Sequence, residues 1–468
     1  MDIAAKAVEI ERSRARPIRP ALVLAATILG SSLSFIDGSV INVGLPTIGG
    51  DLHGSAADLQ WIIDGYLLPL SALVLFGGAL GDRFGRGRLF GLGIILFAAA
   101  SGICAVAPSP AWLIAARMMQ GAGAALLSPN SLAILNDAFQ GPARGRAIGF
   151  WAAAGAATSG LGPVLGGWII DAIGWRFIFV MNLPLAAAAL LLAWWSGTIR
   201  TVPGRQASID LVGALLATFG LGALTFGLIM GGAPSAWSPL ALAGIGAGAI
   251  GLASFLLWEQ RRGDNAMMPL HLFTSRDFAA LTGLTLFLYA ALGALMVLLP
   301  YGMMKAGHAS AVEAGAALLP ITVLLATFSS LFGGVSERFG PRPVLVAGCT
   351  LVAAGFVLIL RVGADSSYAT GLLPALVVIG LGLAVAVAPL TAAVMASVEP
   401  RMTGTASGFN NATARTAGLI ATACLGRVLA TSGDELIQAC HAAAVVAAIA
   451  CLVAAASGLL VRKARSER

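Results

Sequence analysis

The chain has 468 residues; 58% are hydrophobic, only 10% are charged, and the mean hydropathy is +0.90. Soluble domains carry about 25% charged residues and under about 50% apolar ones, so an ordinary cytosolic, secreted or disordered protein is excluded and the solvent must be lipid. The net charge of +7 comes from arginine in short loops, a placement that points to a membrane and not to nucleic acid.

Crossing ~30 Å of hydrocarbon takes about 20 mostly apolar residues in a helix. Fourteen such segments are predicted: 21–45, 57–80, 88–107, 111–135, 146–170, 176–197, 209–231, 238–258, 278–301, 312–335, 343–362, 369–396, 403–430 and 437–461. They are too long for barrel strands, which span in about 10 alternating residues. The first is too long for a cleaved signal peptide, and thirteen more follow it. The expected fold class is an all-α polytopic membrane protein with 14 transmembrane helices.

In chain order, residues 1–20 form a basic N-terminus. Helix 1 carries Asp37 and Asn42, helix 2 carries Asp64, and the loop after it is rich in glycine and arginine up to Arg88. Helix 4 carries Arg117, helix 5 carries Gly162 and Pro163, and helix 13 carries Arg415. The tail 462–468 is basic again. Trp61, Trp112, Trp175 and Trp237 fall at segment ends, where tryptophan anchors a helix at the interface.

Lysine and arginine set the orientation. Of 28 such residues, 22 lie in one set of loops and the termini, from Lys6 through Arg83, Arg86, Arg88, Arg144 and Arg338 to Arg468. The alternate loops hold 4, namely Arg176, Lys305, Arg361 and Arg427, and Arg117 and Arg415 fall inside spans. Both termini are therefore expected to be cytoplasmic, in a cell inner membrane.

Leu75-Phe-Gly-Gly-Ala-Leu-Gly-Asp-Arg-Phe-Gly-Arg-Gly-Arg88 recurs, one residue shorter, as Leu331-Phe-Gly-Gly-Val-Ser-Glu-Arg-Phe-Gly-Pro-Arg342, and Ala147-Ile-Gly-Phe150 is echoed by Ala406-Ser-Gly-Phe409. At that shift helices 1–6 map onto helices 9–14. The expected organisation is a first six-helix half at 21–197, inserted helices 7 and 8 with their linkers at 198–277, and a second half at 278–461. Two parallel six-helix halves suit a transporter that handles substrate between them.

Four motifs carry a family resemblance. Gly78-Ala-Leu-Gly-Asp82-Arg83-Phe-Gly85-Arg86-Gly-Arg88 resembles the helix 2–3 loop signature of the major facilitator superfamily. Leu113-x-x-x-Arg117-x-x-Gln120-Gly121-x-Gly123 resembles its helix 4 signature, and Gly162-Pro163-x-x-Gly166-Gly167 the helix 5 motif of antiporters. Ile36-Asp37-Gly-Ser-Val-Ile-Asn42-Val-Gly-Leu-Pro46 is similar to the helix 1 signature of the fourteen-helix drug:proton antiporter branch. The resemblance implies a gating role for the Asp82–Arg88 loop, a latch of the outward-facing state, and a pliable seam at Gly162, Pro163, Gly166 and Gly167. Asp64 follows Trp61-Ile-Ile, as an acidic residue does in some quaternary-ammonium exporters of the branch.

Ionisable groups at bilayer depth are costly and usually functional. At 1.5 Å per residue, Asp37, Asp64 and Arg117 lie about 12, 10 and 9 Å below the outer helix ends. They are expected to cluster, with Arg117 able to satisfy one carboxylate but not two. Carboxylates sharing one cation exchange protons as a coupled set. Asp37 is the expected proton carrier with Arg117 as its partner; Asp64, Asn42 and Arg415 are candidate substrate contacts.

The expected function is proton-coupled antiport that exports amphipathic drugs or toxic compounds, with a cationic substrate as one option. The alternatives are a same-fold transporter of a dedicated metabolite or siderophore, and a transport-dead sensor. No Gly-Lys pair, HExxH or GxSxG occurs, which argues against a Walker-type ATPase and these hydrolases. No enzyme activity, cofactor or metal is expected, the proton gradient being the energy source. The five cysteines show no ligand spacing and read as packing residues. The expected partners are the lipid bilayer and a small amphipathic substrate, handled by a monomer; the sequence names no periplasmic adaptor.

Overall fold

The structure, a computed structural model, describes residues 19–200, 210–232, 237–263, 266, 268–306, 309–363, 366–399 and 402–462. The predicted basic N-terminus up to residue 18, Arg205, Arg401 and the tail from residue 463 lie outside the described residues. Among the described residues there is helix and no strand.

The long helices are α1 (Pro20–Asp51), α2 (Ala56–Phe84), α3 (Arg86–Ala105), α4 (Pro110–Ala138), α5 (Gly141–Ile173), α6 (Phe177–Trp195) and α7 (Leu211–Gly231). They continue as α8 (Pro239–Arg262), α9 (Arg276–Lys305), α10 (Ala311–Phe339), α11 (Pro341–Ile359), α12 (Tyr368–Ala396), α13 (Thr403–Ala423) and α14 (Gly433–Leu459). Among the described residues, 12 helices are long and apolar enough to cross a membrane; α4 and α13 are not among them.

The helix starts are written in short-range chemistry. Ser55, Ser109, Ser238, Ser275 and Ser310 each accept a hydrogen bond from the amide three residues on, which satisfies an otherwise orphaned donor. Ser55–Asp58 and Ser310–Glu313 form complete capping boxes. Gly85, at φ 103°, permits the sharp break between α2 and α3. Helix α1 outruns its predicted end at 45: it passes through Pro46 to Asp51, whose carboxylate pairs with Arg176 at 2.6 Å. Trp175, expected as an interface anchor, is instead buried, its indole donating to Asp51 at 2.9 Å.

Packing follows one scheme twice. Helix α4 packs on α2 and α3, while α1 packs on α5 and α6. Likewise α12 packs on α10 and α11, while α9 packs on α13 and α14. Helices α7 and α8 pack mainly on each other, and α7 leans on α2 and α13.

The two sets meet through α1–α9, α2–α13 and α5–α10. The α5–α10 contact is concentrated towards the arginine-poor face, where a Cβ on Gly167 would lie 2.3 Å from the Ala311 carbonyl oxygen. The Asp171 carboxylate there accepts from the amides of Ala311 and Val312 at 3.2 and 2.9 Å, capping α10 from α5. An apolar plug including Val43, Trp175, Tyr301, Leu425 and Leu429 seals this end. At the arginine-rich end α5 and α10 part: beyond Ile321 the one buried residue of α10 is Ser336, and Arg144 to Arg146 and Phe150 of α5 are exposed. The two helix sets thus part between α5 and α10 at the arginine-rich face.

Candidate functional site

Arg117 on α4 is the largest fully buried side chain. Its guanidinium lies 4.4 Å from the Tyr66 ring centroid and 5.9 Å from that of Phe179. Nη1 pairs with Asp37 Oδ2 and donates to Gln120 Oε1 at 2.7 Å, while Nε donates to the Ile62 carbonyl at 3.2 Å. Asp37 Oδ1 accepts from Gln120 Nε2 at 2.8 Å and from Asn182 Nδ2 at 3.1 Å. Both amides also donate to Ser101 Oγ, at 3.0 and 2.9 Å. Helices α1, α3, α4 and α6 thus converge on one charge pair. A buried charge must be paired and hydrogen-bonded to be tolerated, and this network supplies a guanidinium and two amides to one carboxylate.

Asp64 was expected to compete for Arg117. It turns instead towards α13, where Thr422 Oγ1 contacts its Oδ1; among the described residues Oδ2 has no hydrogen-bond partner. The neighbouring Gln60 donates to the carbonyls of Thr422 and Ala423 at 3.0 and 2.9 Å. Asp64 therefore lies in the α2–α13 seam that joins the two helix sets. Asn42 is buried on α1, with Oδ1 unpaired among the described residues.

Arg415 is half-buried. It lies seven residues before Thr422 on α13, hence on the same helix face. It takes part in none of the ion pairs among the described residues.

The glycines of the helix 5 motif are contact points. A Cβ on Gly162 would lie 2.2 Å from Ser39 Oγ, and one on Gly166 2.6 Å from Val40, so both seat α5 on α1. Gly167 and Pro163 face α10, with the Pro163 carbonyl oxygen 2.2 Å from where a Cβ on Gly315 would lie.

In the loop signature, Asp82, expected near the start of α3, lies in the last turn of α2, because that helix runs on to Phe84. It pairs with Arg86 at 2.8 Å, and Arg86 also binds Asp137 of α4 at 2.7 Å. Gly78 packs near Pro129, and Arg83 and Arg88 are exposed. These ion pairs stay within α2, α3 and α4 and do not bridge to the second helix set. No group of histidine, cysteine or carboxylate residues that could hold a metal occurs among the described residues.

Gln120 stood in the helix 4 signature without a role, and Ser101, Asn182 and Thr422 carried no charge to mark them. An amide alone in the run Asn182-Leu-Pro-Leu-Ala-Ala was the available signal for a buried polar partner.

The chain matches the model of the Major Facilitator Superfamily over residues 27–258 and 281–468. It is 32% identical over 412 residues to a methylenomycin A resistance protein of Bacillus subtilis, covering 87% of each chain. It is 34% identical over 416 residues to the multidrug resistance protein Stp of Mycobacterium tuberculosis, covering 87% of this chain and 76% of the relative. Its fold is similar to that of a crystallised peptide transporter, POT, with a TM-score of 0.70, 15% identity and coverage of 95% and 96%. With that match, this fold and these relatives, the chain is a membrane transporter, not an enzyme, and belongs to the drug-exporter branch of the Major Facilitator Superfamily.

Proposed function

We propose that the chain is a proton-coupled antiporter that exports amphipathic drugs across the inner membrane by alternating access between two six-helix halves. The observation that carries this reading is the Asp37–Arg117 pair, buried where α1, α3, α4 and α6 meet. Asp37 is the proton carrier. Protonation cancels its charge and releases Arg117, and deprotonation restores the pair, so the network has two arrangements that a proton selects. Each proton moving inward releases about 2.3 kcal/mol per 100 mV, and no cofactor is needed.

The arginine-rich face is cytoplasmic in this reading, both termini lie there, and all fourteen long helices cross the bilayer in a monomer. The geometry is then an inward-open state. The Asp82–Arg88 loop belongs to the gate on that side, and the Gly162–Gly167 stretch holds the opposite side shut. Asn42, Asp64 and Arg415 border the path between the halves.

The test is efflux of a panel of amphipathic compounds from an efflux-deficient host, with and without a protonophore. The expected outcome is protonophore-sensitive efflux that Asp37→Asn abolishes. Full transport by that variant would remove the assignment. A second reading, a same-fold transporter of a dedicated anionic metabolite or siderophore, is favoured by one observation: Arg415 faces α2 with no counter-ion among the described residues. Transport of carboxylate-bearing members of the panel alone, lost in Arg415→Gln, would favour it.

A further inference from the structure

The hydrogen atoms of the α2–α13 seam do not balance if Asp64 is ionised. Thr422 has one hydroxyl hydrogen. Its Oγ1 lies 2.9 Å from the Gly418 carbonyl oxygen, 3.0 Å from that of Leu419, and in contact with Asp64 Oδ1. A carboxylate there would make all three neighbours acceptors around one donor. Threonine in a helix commonly spends its hydrogen on the carbonyl four residues back, which would leave two bare oxygens face to face. Gln60 cannot help, because its amide hydrogens go to the Thr422 and Ala423 carbonyls.

Charge gives the same answer. Asp64 is 0% exposed and forms no ion pair among the described residues. Of the charged groups on the elements around it, Arg117 and Asp37 are committed to each other. Arg415 lies seven residues, about 10 Å of helix, before Thr422 and joins no ion pair among the described residues. Arg427 belongs to the short helix Gly426–Leu429 beside Gln60. Cys424, two residues beyond Thr422, brings a thiol and no positive charge. A proton on Asp64 resolves both problems: the carboxyl donates to Thr422 Oγ1, and Thr422 donates to its own helix.

We propose that Asp64 is a proton-operated latch of the arginine-poor face, which closes the α2–α13 seam only when its carboxyl is protonated. The group placed by sequence as a substrate contact thus acts as a positioning residue for the gate. When the seam opens to water Asp64 can ionise, and the carboxylate cannot return to the dry seam without a proton. Proton capture from the far side is thereby tied to closure of that side. The direction of proton flow rests on the exporter reading; the latch itself does not.

The test is a pulsed electron–electron distance measurement between spin labels at His53→Cys and Asp434→Cys. These exposed positions lie on the arginine-poor face, one in each helix set. The full chain would be used, with its native cysteines replaced by alanine. In the Asp64-intact protein the closed, short-distance population is expected to fall as pH rises from mildly acid to mildly alkaline, by up to about tenfold in the closed:open ratio per pH unit, the limit for one proton. Asp64→Asn, whose amide can donate to Thr422 without titrating, should stay closed at every pH. Thr422→Val should shift towards open at every pH, and Asp37→Asn should keep the pH response. The infrared band of a protonated carboxyl should be present at acid pH and missing in Asp64→Asn. An unchanged pH response in Asp64→Asn, or none in the Asp64-intact protein, would overturn the latch. Loss of the response in Asp37→Asn alone would move the titration to that residue and overturn it too. Protonophore-insensitive efflux together with an intact distance response would sink the exporter reading and leave the latch standing.

Discussion

Arg117 is held by the shape of its side chain as much as by its charge. Its planar fork meets Asp37, Gln120 and the Ile62 carbonyl at once, with the Tyr66 ring 4.4 Å away. A lysine ammonium is a point charge that cannot fill that pattern. Arg117→Lys is therefore expected to lower stability by about 1.5–3 kcal/mol for each charged hydrogen bond lost, seen as a lower melting temperature in detergent, with efflux falling alongside. Arg117→Met should be worse, because it strands the Asp37 carboxylate, at a cost of about 3–5 kcal/mol. Unchanged melting in Arg117→Lys would show that charge alone suffices. Asp37 and Arg117 were legible in the sequence because a charge in an apolar run has few innocent explanations. The destination of Asp64 was not, since depth along a helix says nothing about which neighbour a side chain turns to. Thr422, an unremarkable hydroxyl 358 residues further on, decided it.

Glycine does at the scale of helices what charge does at the scale of residues. With lipid as solvent, helices gain little from burying apolar side chains against each other and associate by close backbone approach. A Cβ on Gly121 of α4 would lie 2.2 Å from the Tyr66 carbonyl oxygen, and one on Gly77 of α2 would lie 2.3 Å from that of Ala125. Neither backbone oxygen can step aside without parting α2 from α4. Gly121→Ala is expected to cost about 1–3 kcal/mol, the usual range for overpacking, and to loosen Arg117, one turn away. Gly149→Ala on α5, where nothing lies within 4 Å, should leave stability unchanged or raise it by up to about 1 kcal/mol. Thermal unfolding of both variants checks this, and an unharmed Gly121→Ala would refute the close approach. Element positions were readable from apolar run lengths, and most boundaries agree within a few residues. The end of α1 was missed because proline inside a membrane helix does not stop it when neighbouring helices satisfy the freed backbone groups.

For the whole molecule, the two helices that fall short of membrane apolarity both carry polar or charged groups of the candidate site. Helix α4 bears Arg117 and Gln120 and is packed against α2 and α3; α13 bears Arg415 and Thr422 and is packed against α2 and α9. Their polar groups face protein rather than lipid, so low hydropathy is what a functional span should show. The arginine pattern supports the same conclusion. Were α4 not to cross, Arg144, Arg146, Arg261, Arg262, Arg338 and Arg342 would fall on the side opposite Arg83, Arg86 and Arg88, and most of the loop bias would vanish. That bias is a strong determinant of orientation for short loops. Fusions of alkaline phosphatase after residues 108 and 432, on the arginine-poor loops, are expected to be active, and those after residues 140 and 398 inactive. A fluorescent protein that folds only in the cytoplasm should give the reverse pattern. Equal activity at 108 and 140 would show that α4 does not cross, and with it the inward-open assignment would lose its basis, because the parting of α5 from α10 and the arginines of the 83–88 loop lie at the same end of the molecule.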